Sequence, residues 1–262
     1  MGLKLLHLNL HGLIRGHDLE LGRDADTGGQ TLYVLELVKG LAACPEVEQV
    51  DLITRLIQDR RVSSDYSQKT ESIAPGATII RLPFGPRRYL RKELLWPYLD
   101  DLADQIVNQL QYQKELPDWI HAHYADAGYV GSLVSSRLGI PLVFTAHSLG
   151  REKQRRLLAG GVDHEHIEQT YSISRRIDAE ELALAHASLV ITSTKQESEE
   201  QYLRYGNYLS GKAEVVPPGV DASRFHPVQD KDEIKLVDTL LAPFLRQVDL
   251  PPLLTIARAV RR

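Results

Sequence analysis

Cysteine is almost missing from this chain: Cys44 is the only one among 262 residues. A single thiol closes no internal disulfide and builds no thiolate metal cluster. Long apolar runs are also missing, and no stretch approaches the length of a membrane-spanning helix. The opening run MGLKLLHLNL is broken by Lys4, His7 and Asn9, with no cleavage site after it. It reads as a strand rather than a secretory signal. A large excess of either sign of charge is missing too, with 31 Lys and Arg against 35 Asp and Glu. A net charge of −4 argues against nucleic acid as the main partner, and local basic clusters stand out against it. Neither GxGxxG nor GxxxxGK followed by Ser or Thr occurs, which weakens dinucleotide and P-loop readings. Internal repeats and low-complexity segments are absent. The default address is the cytoplasm.

An apolar share of 43% and a charged share of 25% are ordinary for a globular protein, and the length allows one large domain or two small ones. Strand-like runs fall at 3–10, 47–54, 78–82, 119–122, 141–145, 189–192 and 214–216. Helical patterns fall at 29–42, 91–113, 127–138, 166–187 and 196–205. Such alternation predicts an α/β fold: a doubly wound parallel sheet with helices on both faces. Residues 220–230 read as a polar exit loop, 231–248 as a helix and 253–257 as one more strand. The expected division is therefore a first domain over 1–230, then a linker and the start of a second, truncated domain over 231–262.

In open α/β sheets, ligands bind beyond the carboxyl ends of strands, so the segments after each strand matter most. Gly28 and Gly29 precede an amphipathic helix with Leu32, Leu35, Val38 and Leu41 at three-residue steps. Residues without Cβ let an anion or sugar approach the free N–H groups of a helix start. A tight turn without ligand is the plainer reading of the same pair. After 78–82 comes a basic run, Arg87, Arg88, Arg91 and Lys92. After 119–122 comes HYADAG, and after 141–145 comes HSLGREK. Cations and hydroxyls thus gather at one rim, as a phosphate requires. A solvated turn would account for the basic run alone.

Three further patterns can be weighed by geometry. His121 and His123 share one strand face, but no third metal ligand appears at usable spacing, so they read as core or cleft histidines. His164 and His166 read as solvated. Asp24-Ala-Asp-Thr27 spells DxDxT, yet the apolar strand that an aspartate-nucleophile site needs is missing before it, so it reads as a decoy. On the helix carrying Arg175 and Arg176, a rotation of about 100° per residue makes a stripe of Ile173, Ile177 and Leu184. Glu180 falls inside that stripe, Arg176 at its edge, and Arg175 points away. Glu180 can then pair with Arg176 at i,i+4 and hold it toward the cleft, or the two can form a routine intrahelical pair.

GRDADTGGQTLYVLELVKGLA, HAHYADAGYVGSL, FTAHSLGREK, RRIDAEELALAHASLVITSTKQE and VVPPGV, in this order, closely resemble the sucrose-phosphate synthases. The resemblance implies the N-terminal Rossmann-like half of a GT-B retaining glycosyltransferase. It implies fructose 6-phosphate as acceptor and a nucleotide sugar, UDP-glucose or ADP-glucose, held by a C-terminal domain. It places Gly28, Gly29 and Gln30 on the cleft floor and Lys92 as an acceptor ligand. Tyr124 and Ser148 would contact the sugar, and Lys153 and Arg176 would be the main phosphate cations. His147 matches a cleft histidine near the transferred glucose and is the catalytic candidate. Arg258 matches the first basic residue of the donor diphosphate site, whose remaining residues would follow Arg262. No cofactor is implied beyond Mg²⁺ travelling with the nucleotide, and no metal site, nucleic acid or membrane. The chain alone is then expected to be inactive. A non-catalytic sugar-phosphate module and a sucrose synthase using free fructose are the rival readings.

Overall fold

The computed structural model describes residues 2–222 and 231–244. Eight strands form one sheet: β1 (Leu3–Leu8), β2 (Val47–Arg55), β3 (Thr70–Ala74), β4 (Ala77–Leu82), β5 (Trp119–His123), β6 (Leu142–Thr145), β7 (Leu189–Thr192) and β8 (Ala213–Val215). Their spatial order is β3-β4-β2-β1-β5-β6-β7-β8. Every neighbouring pair is parallel except β3 with β4. The order runs outward from β1 in one direction and from β5 in the other. The β1/β5 seam is therefore the topological switch point, where a crevice opens beyond the strand ends.

The helices are α1 (Gly29–Ala42), α2 (Leu99–Leu110), α3 (Tyr124–Leu138), α4 (Gly150–Ala159), α5 (His164–Tyr171), α6 (Ile173–His186) and α7 (Lys231–Leu241). Strand alternation sorts the two faces. Leu6, Leu8, Ile120, Ala122, Leu142 and Phe144 pack on the side that holds α2, α3 and α6. Val50, Leu52, Ala77 and Ile79 pack with Val34, Leu35 and Val38 of α1. Both faces are covered, as a doubly wound sheet requires.

The structure corrects several element expectations. β3 is an added edge strand, turned back on β4 through Gly76 at φ 74°. The helical pattern at 91–113 begins as two 3₁₀ turns, Lys92–Leu94 and Trp96–Tyr98, with Pro97 between Trp96 and Tyr98, and becomes α-helical only at Leu99. The pattern at 166–187 breaks at Ser172, which takes φ 46° between α5 and α6. The pattern at 196–205 is a π turn followed by a 3₁₀ turn. Helix α4 falls on none of the helical patterns in the sequence.

Contacts divide the chain into Met1–Pro217 and Pro218–Arg262. In the second unit the described structure is α7 with a 3₁₀ turn at Ala242–Phe244. The expected strand at 253–257 and Arg258 lie outside the described residues. Among the described residues, no helix is long and apolar enough to cross a membrane.

Candidate active site

A cleft is lined by Lys92, Glu93, Trp96, Tyr124, Asp126, Lys153, Tyr171 and Arg176. Four of the residues singled out in the sequence, Lys92, Tyr124, Lys153 and Arg176, meet here from four separate segments. Tyr124 opens α3 directly after β5, at φ 78°. His147 follows β6, at φ 57°. Left-handed backbone at a residue with a side chain costs on the order of 1–3 kcal/mol, and such outliers gather at functional sites. Among the described residues, two of the four positive-φ residues other than glycine lie at these strand ends.

Arg176 is buried at 4% exposure and held from three sides. Its Nε donates to Glu180 Oε1 at 2.8 Å, and its Nη2 donates to Ser148 O at 2.6 Å and Ser148 Oγ at 3.0 Å. The guanidinium carbon lies 4.5 Å from the centre of the Tyr124 ring. Burial opposes the charge, but Glu180 and Tyr124 outweigh it and raise the Arg176 pKa. Glu180 itself is fully buried. It accepts from Gly150 N at 3.1 and 2.9 Å, and from the Tyr205 hydroxyl. The carboxylate thereby caps the N-terminus of α4, where the helix dipole favours negative charge. A Cβ on Gly150 would stand 2.9 Å from Glu180 Oε2, so this approach needs glycine. The expected phase of α6 holds: Arg176 turns in, and Arg175 is exposed with its guanidinium 5.9 Å from the Trp96 ring centre.

Lys153, on α4, places its ammonium 3.4 Å from the centre of the Tyr171 ring. Burial, reinforced by the charges of Arg176 and Lys92, pulls its pKa down to about 8. An anion bound beside Lys153 would relieve this repulsion. Lys92 alone of the basic run lines the cleft; Arg87, Arg88 and Arg91 are exposed. The Lys92 ammonium bonds Asp26 and lies 3.3 Å from Glu93, and its backbone N donates to Asp26 Oδ2 at 2.8 Å. Burial pushes the Asp26 carboxyl up, but Lys92 overcomes this and holds its pKa low.

Gly28, Gly29, Gln30, His147 and Ser148 are not among the residues lining this cleft. They form a neighbouring group at the start of α1 and the end of β6. A Cβ on Gly29 would meet open space. Gln30 Nε2 donates to Asn9 Oδ1 at 2.8 Å. Tyr33 of α1 meets the His147 ring edge-on at 5.1 Å. Asn9 and His11 join Gln30 to the cleft: Asn9 Nδ2 donates to His11 O at 3.1 Å, His11 Nδ1 lies 2.8 Å from Asp126 Oδ2, and the His11 ring packs edge-on to Tyr124 at 4.7 Å. Gly12, at φ 78°, allows the chain after β1 to pass Asp26, whose carbonyl oxygen a Cβ would approach to 2.5 Å. The DxDxT segment is a loop: Asp24 Oδ1 accepts from Asp26 N and Thr27 N, both at 2.8 Å.

The sequence offered no third partner for His121 and His123. Parallel pairing of β1 with β5 supplies one, placing His7 opposite His121. One ring nitrogen from each of His7, His121 and His123 lies within 4.8 Å of the others, all buried. Spacing within one strand could not show this, because the third residue comes from another strand. Asp26, Glu93, Trp96, Asp126 and Tyr171 were also missed. Asp26 stood inside the DxDxT run read as a decoy, and the sequence signal of the others was adjacency to Lys92, Tyr124 and the α5–α6 turn.

A parallel Rossmann-like sheet with a polar cleft at its switch point is the N-terminal domain of GT-B architecture. The family model for the first GT-B domain of sucrose synthases matches residues 3–220. The chain belongs to that family. The sucrose-phosphate synthase of Spinacia oleracea is 44% identical over 229 residues, covering 77% of this chain and 22% of that enzyme. The chain spans about a quarter of the length of the curated relatives it matches. A solved sucrose-phosphate synthase from Thermosynechococcus elongatus superposes with a TM-score of 0.69 at 25% identity, covering 95% of this chain and 53% of that one. The Anabaena protein HepE, solved with UDP and glucose, shares the fold at a TM-score of 0.54 and 17% identity, over 91% of this chain and 50% of its own.

Proposed function

We propose that this chain forms the acceptor side of a sucrose-phosphate synthase. The acceptor is fructose 6-phosphate, and glucose arrives on UDP or ADP held by a second domain. The observation that carries this reading is the meeting of Lys153, Arg176 and Lys92 over one cleft. Lys92 and Arg176 already pair with Asp26, Glu93 and Glu180, whereas the Lys153 ammonium meets the Tyr171 ring and no carboxylate at ion-pair distance among the described residues; a phosphate would supply its anion and free fructose would not. In the reaction, the C2 hydroxyl of fructose 6-phosphate attacks the anomeric carbon of glucose. The bond from that carbon to the diphosphate breaks, and the diphosphate oxygen takes the hydroxyl proton. Configuration is retained, and sucrose 6-phosphate leaves. The chain's own residues hold the phosphate at Lys153 and Arg176, and orient the hexose from Lys92, Tyr124 and Ser148. The start of α1, at Gly28 and Gly29, supplies N–H groups toward the sugar or the diphosphate. Arg258 would serve the donor diphosphate. No cofactor is required; Mg²⁺ enters only as a companion of the nucleotide. The cytoplasm suits these phosphorylated substrates. Calorimetry tests the reading: fructose 6-phosphate should bind at least tenfold tighter than fructose, about 1.4 kcal/mol. Equal affinity for the two would favour a free-sugar acceptor. No binding of either would remove the acceptor assignment.

A further inference from the structure

The histidines on the α1 side of the sheet form an ordered chain. His7 Nδ1 lies 3.0 Å from His123 Nε2, and His123 Nδ1 lies 3.0 Å from His147 Nε2. The ring centroids stand 5.3 and 5.2 Å apart, with interplanar angles of 15° and 31°. Those separations and small tilts are what rings joined edge to edge through N–H···N bonds require. In such a bond the lone pair of one ring points at the proton of the next. A shared metal needs lone pairs converging on a third point, so this arrangement is a relay rather than a chelate. His121 stands beside the relay, with its Nε2 engaged at 2.9 Å with Thr145 Oγ1.

Burial lowers the pKa values of His7, His121, His123 and His147, those of His7 and His147 to about 3. At neutral pH each ring therefore carries one N–H and one bare nitrogen. Each contact along the chain needs one donor and one acceptor, so one choice of direction sets every ring. The far end makes that choice. His7 Nε2 is buried with no hydrogen-bond partner among the described residues. A proton there would be an orphaned buried donor, which folded proteins tolerate less well than an unused lone pair. His7 accordingly carries its proton on Nδ1 and donates to His123 Nε2. His123 then donates from Nδ1 to His147 Nε2. His147 is left with its proton on Nδ1.

We propose that His7, His123 and His147 form a polarised imidazole relay that fixes His147 as a neutral Nδ1–H donor at the end of β6, beside Tyr33 of α1. Its ligand is an oxygen acceptor, a sugar hydroxyl or a diphosphate oxygen. His7 and His123 are positioning residues. A ring held this way binds and orients oxygen; it has no free lone pair on Nδ1 with which to accept a proton. The assignment to a sugar ligand rests on the proposed function, but the tautomer does not.

Long-range ¹H–¹⁵N correlation spectra of the chain labelled at histidine read the tautomer without any ligand. The His147 signals are assigned by their loss in His147→Gln. The expected result is one neutral form for His7, His123 and His147, with the proton on Nδ1, between about pH 6 and 8. His7→Asn keeps a donor opposite His123 Nε2 and should leave the His147 tautomer unchanged. His7→Asp puts an acceptor there and should move the His147 proton to Nε2. If the variants do not fold, the wild-type spectrum decides alone. A wild-type His147 that is protonated, carries its proton on Nε2 or exchanges between forms overturns the relay. So does stoichiometric Zn²⁺ uptake that shifts the His7, His121 and His123 signals. Adding fructose 6-phosphate separates the two readings. A fixed tautomer with no sugar-phosphate binding leaves the relay standing and removes the acceptor assignment.

Discussion

Replacing Glu180 by Ala is the most informative single perturbation, because one buried carboxylate joins α4, α6 and Tyr205. The substitution removes the partner of Arg176 Nε, at 2.8 Å, and strands a guanidinium only 4% exposed. Breaking a buried ion pair from one side costs roughly 3–5 kcal/mol. The Gly150 N–H and the Tyr205 hydroxyl also lose their acceptor. Each group left bare costs about 1–3 kcal/mol, reduced where cleft water reaches it. Water entry and relaxation offset part of this sum, and about 4 kcal/mol is the expected net loss. For a domain of this size that lowers Tm by roughly 10 °C. Urea titration followed by circular dichroism measures it. Glu180→Gln keeps the shape and one acceptor, and should lose about half as much. The control is a double-mutant cycle with Arg176→Met: the paired variant should recover part of the loss, giving a coupling of about 2 kcal/mol. A loss below about 1 kcal/mol for Glu180→Ala, or strict additivity in the cycle, would refute the hub assigned to Glu180.

Lys153→Ala should weaken fructose 6-phosphate binding tenfold or more, about 1.4 kcal/mol, while Arg175→Ala, on the exposed side of α6, should change it less than twofold; calorimetry of both variants reads the contrast. With the Lys153 pKa near 8, fructose 6-phosphate affinity should fall as pH rises from 7 to 9, and Lys153→Met should flatten that dependence in a titration series. The unliganded chain should show the linked stability effect. The folded pKa lies below the ordinary lysine value of 10.5, so the unfolded chain binds more protons between about 8 and 10.5. Stability relative to Lys153→Met should therefore rise across that window in denaturant melts. Gly12→Ala should destabilise by about 1–3 kcal/mol, since it adds strain at φ 78° to a Cβ placed 2.5 Å from the Asp26 carbonyl; a melting curve equal to wild type would show that the loop shifts freely.

Legibility from sequence followed the range of the signal. The seven parallel strands were readable because each is a short apolar run between helical patterns. The phase of α6 was readable because Arg176 and Glu180 lie one turn apart. Helix α4 escaped because GREKQRRLLA is mostly polar, and its start is set by a carboxylate thirty residues away. The break at Ser172 escaped because hydrophobic period continues across it. The histidine chain escaped because His7 reaches His123 only through strand pairing across the β1/β5 seam. Of the site, the basic rim was readable from the segments after the strands and the inward turn of Arg176 from helix phase, while the roles of Lys92, Lys153 and Arg176 came from motif resemblance. Their counter-charges Asp26 and Glu93, and the aromatic wall of Trp96 and Tyr171, needed coordinates.

The central claim is that this cleft holds the phosphate of a sugar phosphate. A crystal structure of the chain soaked in fructose 6-phosphate tests it most directly. The phosphate is expected between Lys153 and Arg176, with the hexose extending toward Lys92 and Tyr124. A phosphate bound elsewhere on the domain, or an empty cleft at saturating ligand, would contradict it.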